Sequence, residues 1–97
     1  MSEFEEKSAA RLRIEGRVQG VGFRYFVYKN ARRNGLCGWV KNRKDGSVEA
    51  HFEGDRDAIH RIIELCKKGP AGSNVKDLQL NWSEPEGTWK DFDFKYS

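Results

Sequence analysis

Residues 11–24 read Arg11-Leu12-Arg13-Ile14-Glu15-Gly16-Arg17-Val18-Gln19-Gly20-Val21-Gly22-Phe23-Arg24, and two hydrophobic periods meet inside them. Over 11–18, Leu12, Ile14, Gly16 and Val18 share one face and Arg11, Arg13, Glu15 and Arg17 the other, the alternation of a half-buried strand. From Phe23 the spacing lengthens: Phe23, Phe26, Val27 and Ala31 recur as on one side of a helix, which Asn34-Gly35 closes with a left-handed stop. A strand therefore feeds a helix through a short glycine-containing connection.

Working outward, residues 36–42 return to an extended pattern, and 47–53 set Val48, Ala50 and Phe52 on one face. Asp45-Gly46 between the two runs signals a hairpin. Gly54-Asp55 opens a second helix, where either residue can cap the free amides, and Ile59, Ile62, Ile63 and Cys66 form its apolar stripe. Gly69-Pro70 ends that helix. Residues 75–82 align Leu78, Leu80 and Trp82 as another strand, 85–90 read as a loop, and Phe92, Phe94 and Tyr96 alternate as a short final strand. The order β-α-β-β-α-β with an extra C-terminal strand predicts an α+β, ferredoxin-like sandwich. It has one antiparallel sheet, both helices on a single face, the first and third strands central, and the second beside the third.

Ninety-seven residues suffice for one domain, set here at 9–97, with the acidic polar stretch 1–8 expected as a flexible tail. No uncharged apolar run follows Met1, whose first seven residues include three glutamates; a secretory signal is not expected and a cytoplasmic location is. The composition, 37% hydrophobic, provides one modest core and no membrane span. Eighteen Lys and Arg against fifteen Asp and Glu leave +3, which suits small anions without implying a nucleic-acid footprint. Cys37 and Cys66 lack metal-knuckle spacing and read as two reduced thiols.

The connection 16–24 carries the chemistry. Gly16, Gly20 and Gly22 permit a backbone on which amides converge, and the start of the following helix adds free N–H groups at the positive end of its dipole. Arg24, in the first helical turn, opposes that dipole at a cost of about 0.3–1 kcal/mol, which an anionic ligand would offset. Two descriptions fit: an anion cradle with Arg24 as its cation, or a tight turn beside a solvated arginine. The spacing matches neither the nucleoside-triphosphate loop nor the dinucleotide fingerprint. In 38–49, Asn42 by itself is a residue that stops a strand before a turn, and Lys41 a solvated charge.

Taken together, 16–24 and 38–49 resemble the paired signature of the acylphosphatase family, small enzymes that hydrolyse the carboxyl-phosphate bond of acyl phosphates. The likeness continues through Gly69-Pro70 and the aromatic C-terminal strand, spanning residues 9–96. Ser73-Asn74 and the longer N-terminal tail depart from the family pattern without touching either motif. The resemblance implies a phosphate cradle at Val18, Gln19, Gly20, Val21, Gly22, Phe23 and Arg24, with Arg24 and Asn42 catalytic. It implies a small-molecule acyl phosphate as substrate. Beside it, the expected protein is a monomer that holds phosphate or sulfate ion at the loop and uses no metal, no cofactor, no nucleic acid and no membrane. Neither motif offers a suitable His, Asp or Cys as base or nucleophile. An acyl phosphate asks for little, since its carboxylate leaves unprotonated and phosphoryl transfer passes through a loose transition state.

Elsewhere, His51 and His60 are expected at the surface, Cys66 in the core, Trp39 packed on the sheet, and Arg17 and Lys41 toward solvent. Two other functions share the topology. An RNA-recognition module would need stacking aromatics on its central strands, where this chain has Arg11, Arg13, Glu15, Glu49, His51 and Glu53. A carbamoyl-phosphate-handling domain, like the acylphosphatase-like segment of hydrogenase-maturation carbamoyltransferases, would sit within a much longer chain.

Overall fold

The computed structural model describes residues 7–96. Its elements are β1 (Lys7–Arg17), α1 (Phe23–Arg33), β2 (Cys37–Asn42), β3 (Val48–Asp55), α2 (Arg56–Lys68), β4 (Asn74–Ser83) and β5 (Phe92–Phe94). They build a five-stranded sheet in the order β4-β1-β3-β2-β5. β1 and β3 are central as expected, and pair antiparallel with Leu12 opposite Ala50 and Ile14 opposite Val48. The sheet as a whole is mixed, not antiparallel: β5 runs parallel to β2, with Gly38 opposite Phe92 and Val40 opposite Phe94. The reason is connectivity, because the chain leaves β4 at one edge and must cross the whole sheet before adding a strand at the other.

One face of the sheet meets both helices. Leu12, Ile14, Val40, Val48, Ala50 and Phe52 from the strands bury against Val27 and Ala31 of α1 and Ile59, Ile62, Ile63 and Cys66 of α2. Burying one such isoleucine stabilises the fold by about 1.5–3 kcal/mol. Burial also pushes the Cys66 thiol up to about 12, so this cysteine fills space and does not react near neutral pH. α2 ends at Gly69 as expected, while Asp55 occupies its N-cap without a side-chain capping bond.

β1 begins at Lys7, opposite Asp55, and Ser8, opposite Gly54, is buried. The boundary of the tail therefore retreats from residue 8, and the remainder of that stretch, 1–6, lies outside the described residues. At the other end Tyr96 falls beyond the three-residue β5 and is 82% exposed, so the final alternation stops at Phe94.

The outer face of the sheet corrects a second expectation. His51 does point away from the helices, yet it is only 4% exposed. Its ring lies between Trp39 and Trp89, at centroid distances of 6.0 and 6.1 Å. The cover comes from the segment between β4 and β5, whose Glu86 and Gly87 amides donate to the two oxygens of Glu53 at 2.9 and 3.0 Å. Arg11 Nε donates to His51 Nδ1 at 3.2 Å, which leaves Nε2 to carry the proton and donate to Glu53 at 2.9 Å. Burial raises the Glu53 pKa, but the two amides and the imidazole outweigh it and hold the carboxyl below its ordinary 4.5.

A carboxyl whose pKa is lower in the folded chain adds stability above its unfolded value and loses it as pH falls through the folded one. Unfolding followed in urea should therefore give a midpoint that declines once pH drops below about 4.5. Glu53→Gln places an amide NH2 against one of the donors, and should cost about 1.5–3 kcal/mol at pH 7 while flattening part of the acid decline. An unchanged midpoint in Glu53→Gln at both pH values would remove Glu53 from this role.

Candidate active site

The connection from β1 to α1 is set by Gly20 and Gly22, at φ +76° and +78°. Side chains rarely adopt this left-handed conformation, whereas glycine does so without strain. Gly22 is the N-cap of α1 and provides no side chain to satisfy the first amides of the helix; no acidic residue follows in the first turn. That helix end consequently offers free N–H groups and the positive pole of the dipole, with nothing negative built in against them.

Beside it lies an open cavity of about 300 Å³ lined by Val18, Gly20, Gly22, Phe23, Arg24, Tyr25, Asn42, Phe94 and Tyr96. Arg24 and Asn42 thus face one space, although eighteen positions separate them in the chain. Arg24 makes no ion pair or hydrogen bond among the described residues. Its guanidinium lies 5.9 Å from the centroid of the Tyr96 ring. Asn42 is the last residue of β2, opposite Val48, with an exposed side chain that makes no hydrogen bond among the described residues. A cation and a carboxamide, both unspent, and a helix N-terminus therefore surround one volume large enough for a phosphoryl group.

Two of the seven proposed cradle residues, Gln19 and Val21, are not among those lining the cavity. Val21 packs against the hydrophobic core. Gln19 reaches to the β2–β3 turn, where its Nε2 donates to the carbonyls of Arg43 at 2.7 Å and Ser47 at 2.9 Å. Alternation and glycine content mark the loop but say nothing of a contact across 24 positions. The aromatics Tyr25, Phe94 and Tyr96 also line the cavity and had no place among the candidates. For Phe94 and Tyr96 the sequence signal is the aromatic alternation at the C-terminus; Tyr25, next to Arg24 in α1, has none.

The turn itself is held by charge and by Asx geometry. Ser47 donates from its amide and hydroxyl to Asp45 Oδ1 at 2.9 and 2.6 Å. Those bonds, Ser47's hydroxyl first, bring the Asp45 carboxyl down to about 2. Arg43 pairs with Glu49 at 2.8 Å and Arg11 with the same carboxylate at 3.3 Å. Lys41, expected toward solvent, is partly buried, its ammonium 5.5 Å from the Trp39 centroid and 3.9 Å from Glu49.

Comparison with known proteins agrees with this architecture. A family model described as acylphosphatase matches residues 10–94. The acylphosphatase of Pyrobaculum arsenaticum is 48% identical over 88 residues, covering 90% of this chain and 93% of that protein. The crystal structure of acylphosphatase from Bacillus subtilis superposes with a TM-score of 0.89 at 42% identity, over 92% of this chain and 99% of the other. Full-length HypF, solved with phosphate and nucleotide bound, matches with a TM-score of 0.83 at 30% identity, over 94% of this chain and 12% of its own. These matches and the sheet order define a ferredoxin-like α+β sandwich. The chain belongs to the acylphosphatase family, and so is a hydrolase acting on acid anhydrides that cleaves acyl phosphates.

Proposed function

We propose that the cavity at the β1–α1 connection is the catalytic site, and that water attacks there, in line, on a phosphoryl group held by Arg24 and the amides from Gln19 to Phe23. The single observation that carries this is the shared cavity of Arg24, Asn42 and the N-terminus of α1. The guanidinium fork and the converging N–H groups bind the phosphoryl oxygens and strengthen as charge builds on them. Asn42 orients the attacking water. Water adds its oxygen to phosphorus, the carboxylate departs unprotonated, and the proton passes to a phosphoryl oxygen of the substrate, giving inorganic phosphate. Neither a metal nor a cofactor takes part, the chain works as a monomer, and phosphate or sulfate competes for the loop.

A substrate panel tests the assignment. Acetyl, carbamoyl and benzoyl phosphates and 1,3-bisphosphoglycerate should be hydrolysed, without loss of rate in EDTA, while ordinary phosphate esters are not. Equal turnover of the esters would contradict it. Carbamoyl phosphate as the sole substrate would instead favour a carbamoyl-phosphate-handling domain. Against RNA binding stands the outer face of β1 and β3, occupied by ion pairs and by the segment anchored on Glu53, with Trp39 only 4% exposed. Tight, salt-sensitive retention of RNA on a filter would reverse that preference.

A further inference from the structure

We propose that Gln19 is a positioning residue for catalysis, its side chain tethering the anion loop to the β2–β3 hairpin so that Asn42 stands at the correct distance from the bound phosphoryl group. This rests on the site proposed above. Gln19 lies between Val18 and Gly20, both of which line the cavity, but its own side chain leaves the cavity for the hairpin. Both amide hydrogens are spent there, on the Arg43 carbonyl at 2.7 Å and the Ser47 carbonyl at 2.9 Å. Arg43 follows Asn42 directly, and Ser47 precedes Val48, the residue paired with Asn42. Gln19 therefore grips both roots of the turn next to the pair that carries the carboxamide.

The turn does not need these bonds to complete its own. The Arg43 carbonyl already accepts from the Gly46 amide at 3.2 Å, and the Ser47 carbonyl from the Arg43 amide at 2.8 Å. Removing Gln19's donors leaves no orphaned backbone acceptor, so the expected penalty falls on alignment and little on folding. Among the described residues, no other side-chain hydrogen bond joins 18–22 to 42–47. The loop holds phosphate and the hairpin holds the water-directing group, and this one carboxamide fixes one against the other.

A double-mutant cycle separates a tether from a structural strut. Gln19→Met keeps the length and apolar stem and removes both donors. With acetyl phosphate, Gln19→Met should lower kcat by about a hundredfold, the scale of a misplacement near 1 Å. Its Kd for inorganic phosphate should stay within about threefold of wild type, since the cradle and Arg24 are untouched. In the Asn42→Ala background, where no carboxamide remains to align, Gln19→Met should change kcat by less than about threefold. The inference fails if Gln19→Met keeps most of its turnover, if it costs as much in Asn42→Ala as in wild type, or if phosphate affinity falls with kcat. Should Gln19→Met not fold, Gln19→Ala carries the same comparison; failure of both to fold overturns the inference, because the side chain would then be holding the fold. A wild type that turns over no acyl phosphate sinks the proposed function and this inference with it, whereas the other failures leave the proposed function standing.

Discussion

Arg24→Ala is expected to lower the turnover of an acyl phosphate at least a hundredfold while leaving the protein as stable as before, or slightly more so. The first half follows from charge. A preorganised donor aimed at a developing oxyanion contributes about 2.7–4 kcal/mol to the barrier, and among the described residues Arg24 is the only side-chain cation lining its cavity. The second half follows from its surroundings. Arg24 has no ion pair among the described residues, and its guanidinium lies over the exposed ring of Tyr96. In the first turn of α1 it opposes the dipole, so its removal returns up to about 0.3–1 kcal/mol. Activity and stability thus pull in opposite directions at this position. Arg24→Lys should fail nearly as badly, because a point charge cannot reproduce two parallel hydrogen bonds to a phosphoryl group. Both variants should also bind inorganic phosphate more weakly, which separates Arg24 from a group that acts on water alone. Steady-state kinetics with benzoyl phosphate, phosphate inhibition and thermal melting on the same samples make the check. An Arg24→Ala enzyme with most of its turnover would show that the cation is not used.

The elements of this fold were legible because each carries its own period. β1 alternates, α1 and α2 show helical stripes, and Asp45-Gly46 turns the chain between β2 and β3. The central position of β1 and β3 then follows from the order of elements. What local patterns cannot carry is the identity of a cover. Strand parity put His51 on the outer face, but a segment without periodicity, beginning some thirty residues later, lays Glu86, Gly87 and Trp89 over it. The parallel direction of β5 was hidden for the same reason, since three residues of alternation say nothing about which edge they reach. In the site, the glycines and Arg24 left two readings open, a tight turn or an anion cradle, the second suggested by physical oddity: flexible backbone and a cation at the wrong helix end. Asn42 announced nothing by itself. An asparagine before a turn is ordinary, and only the resemblance singled it out. Gln19 shows the converse, a residue assigned to the cradle by position whose side chain serves the junction between loop and hairpin.

Asn42→Ala should separate binding from chemistry at this site. Asn42 ends β2 with its side chain exposed and without partners among the described residues, so truncation strands no buried polar atom and the melting temperature should hold. Phosphate binding should hold as well, because the loop amides and Arg24 remain. On the proposed role, what would be lost is the orientation of water for in-line attack, a contribution realised in the transition state, so kcat and kcat/KM should fall together by at least a hundredfold, about 2.7–4 kcal/mol. Asn42→Asp sharpens the test. It keeps the shape and an acceptor for water but adds a negative charge facing an anionic substrate, and should raise KM as well as lower kcat. In Asn42→Ala the pattern to be seen is a collapsed kcat with an inhibition constant for inorganic phosphate near that of wild type. If the inhibition constant instead rises in step with the loss of kcat, Asn42 is a ligand of the phosphoryl group, and some other group must direct the water.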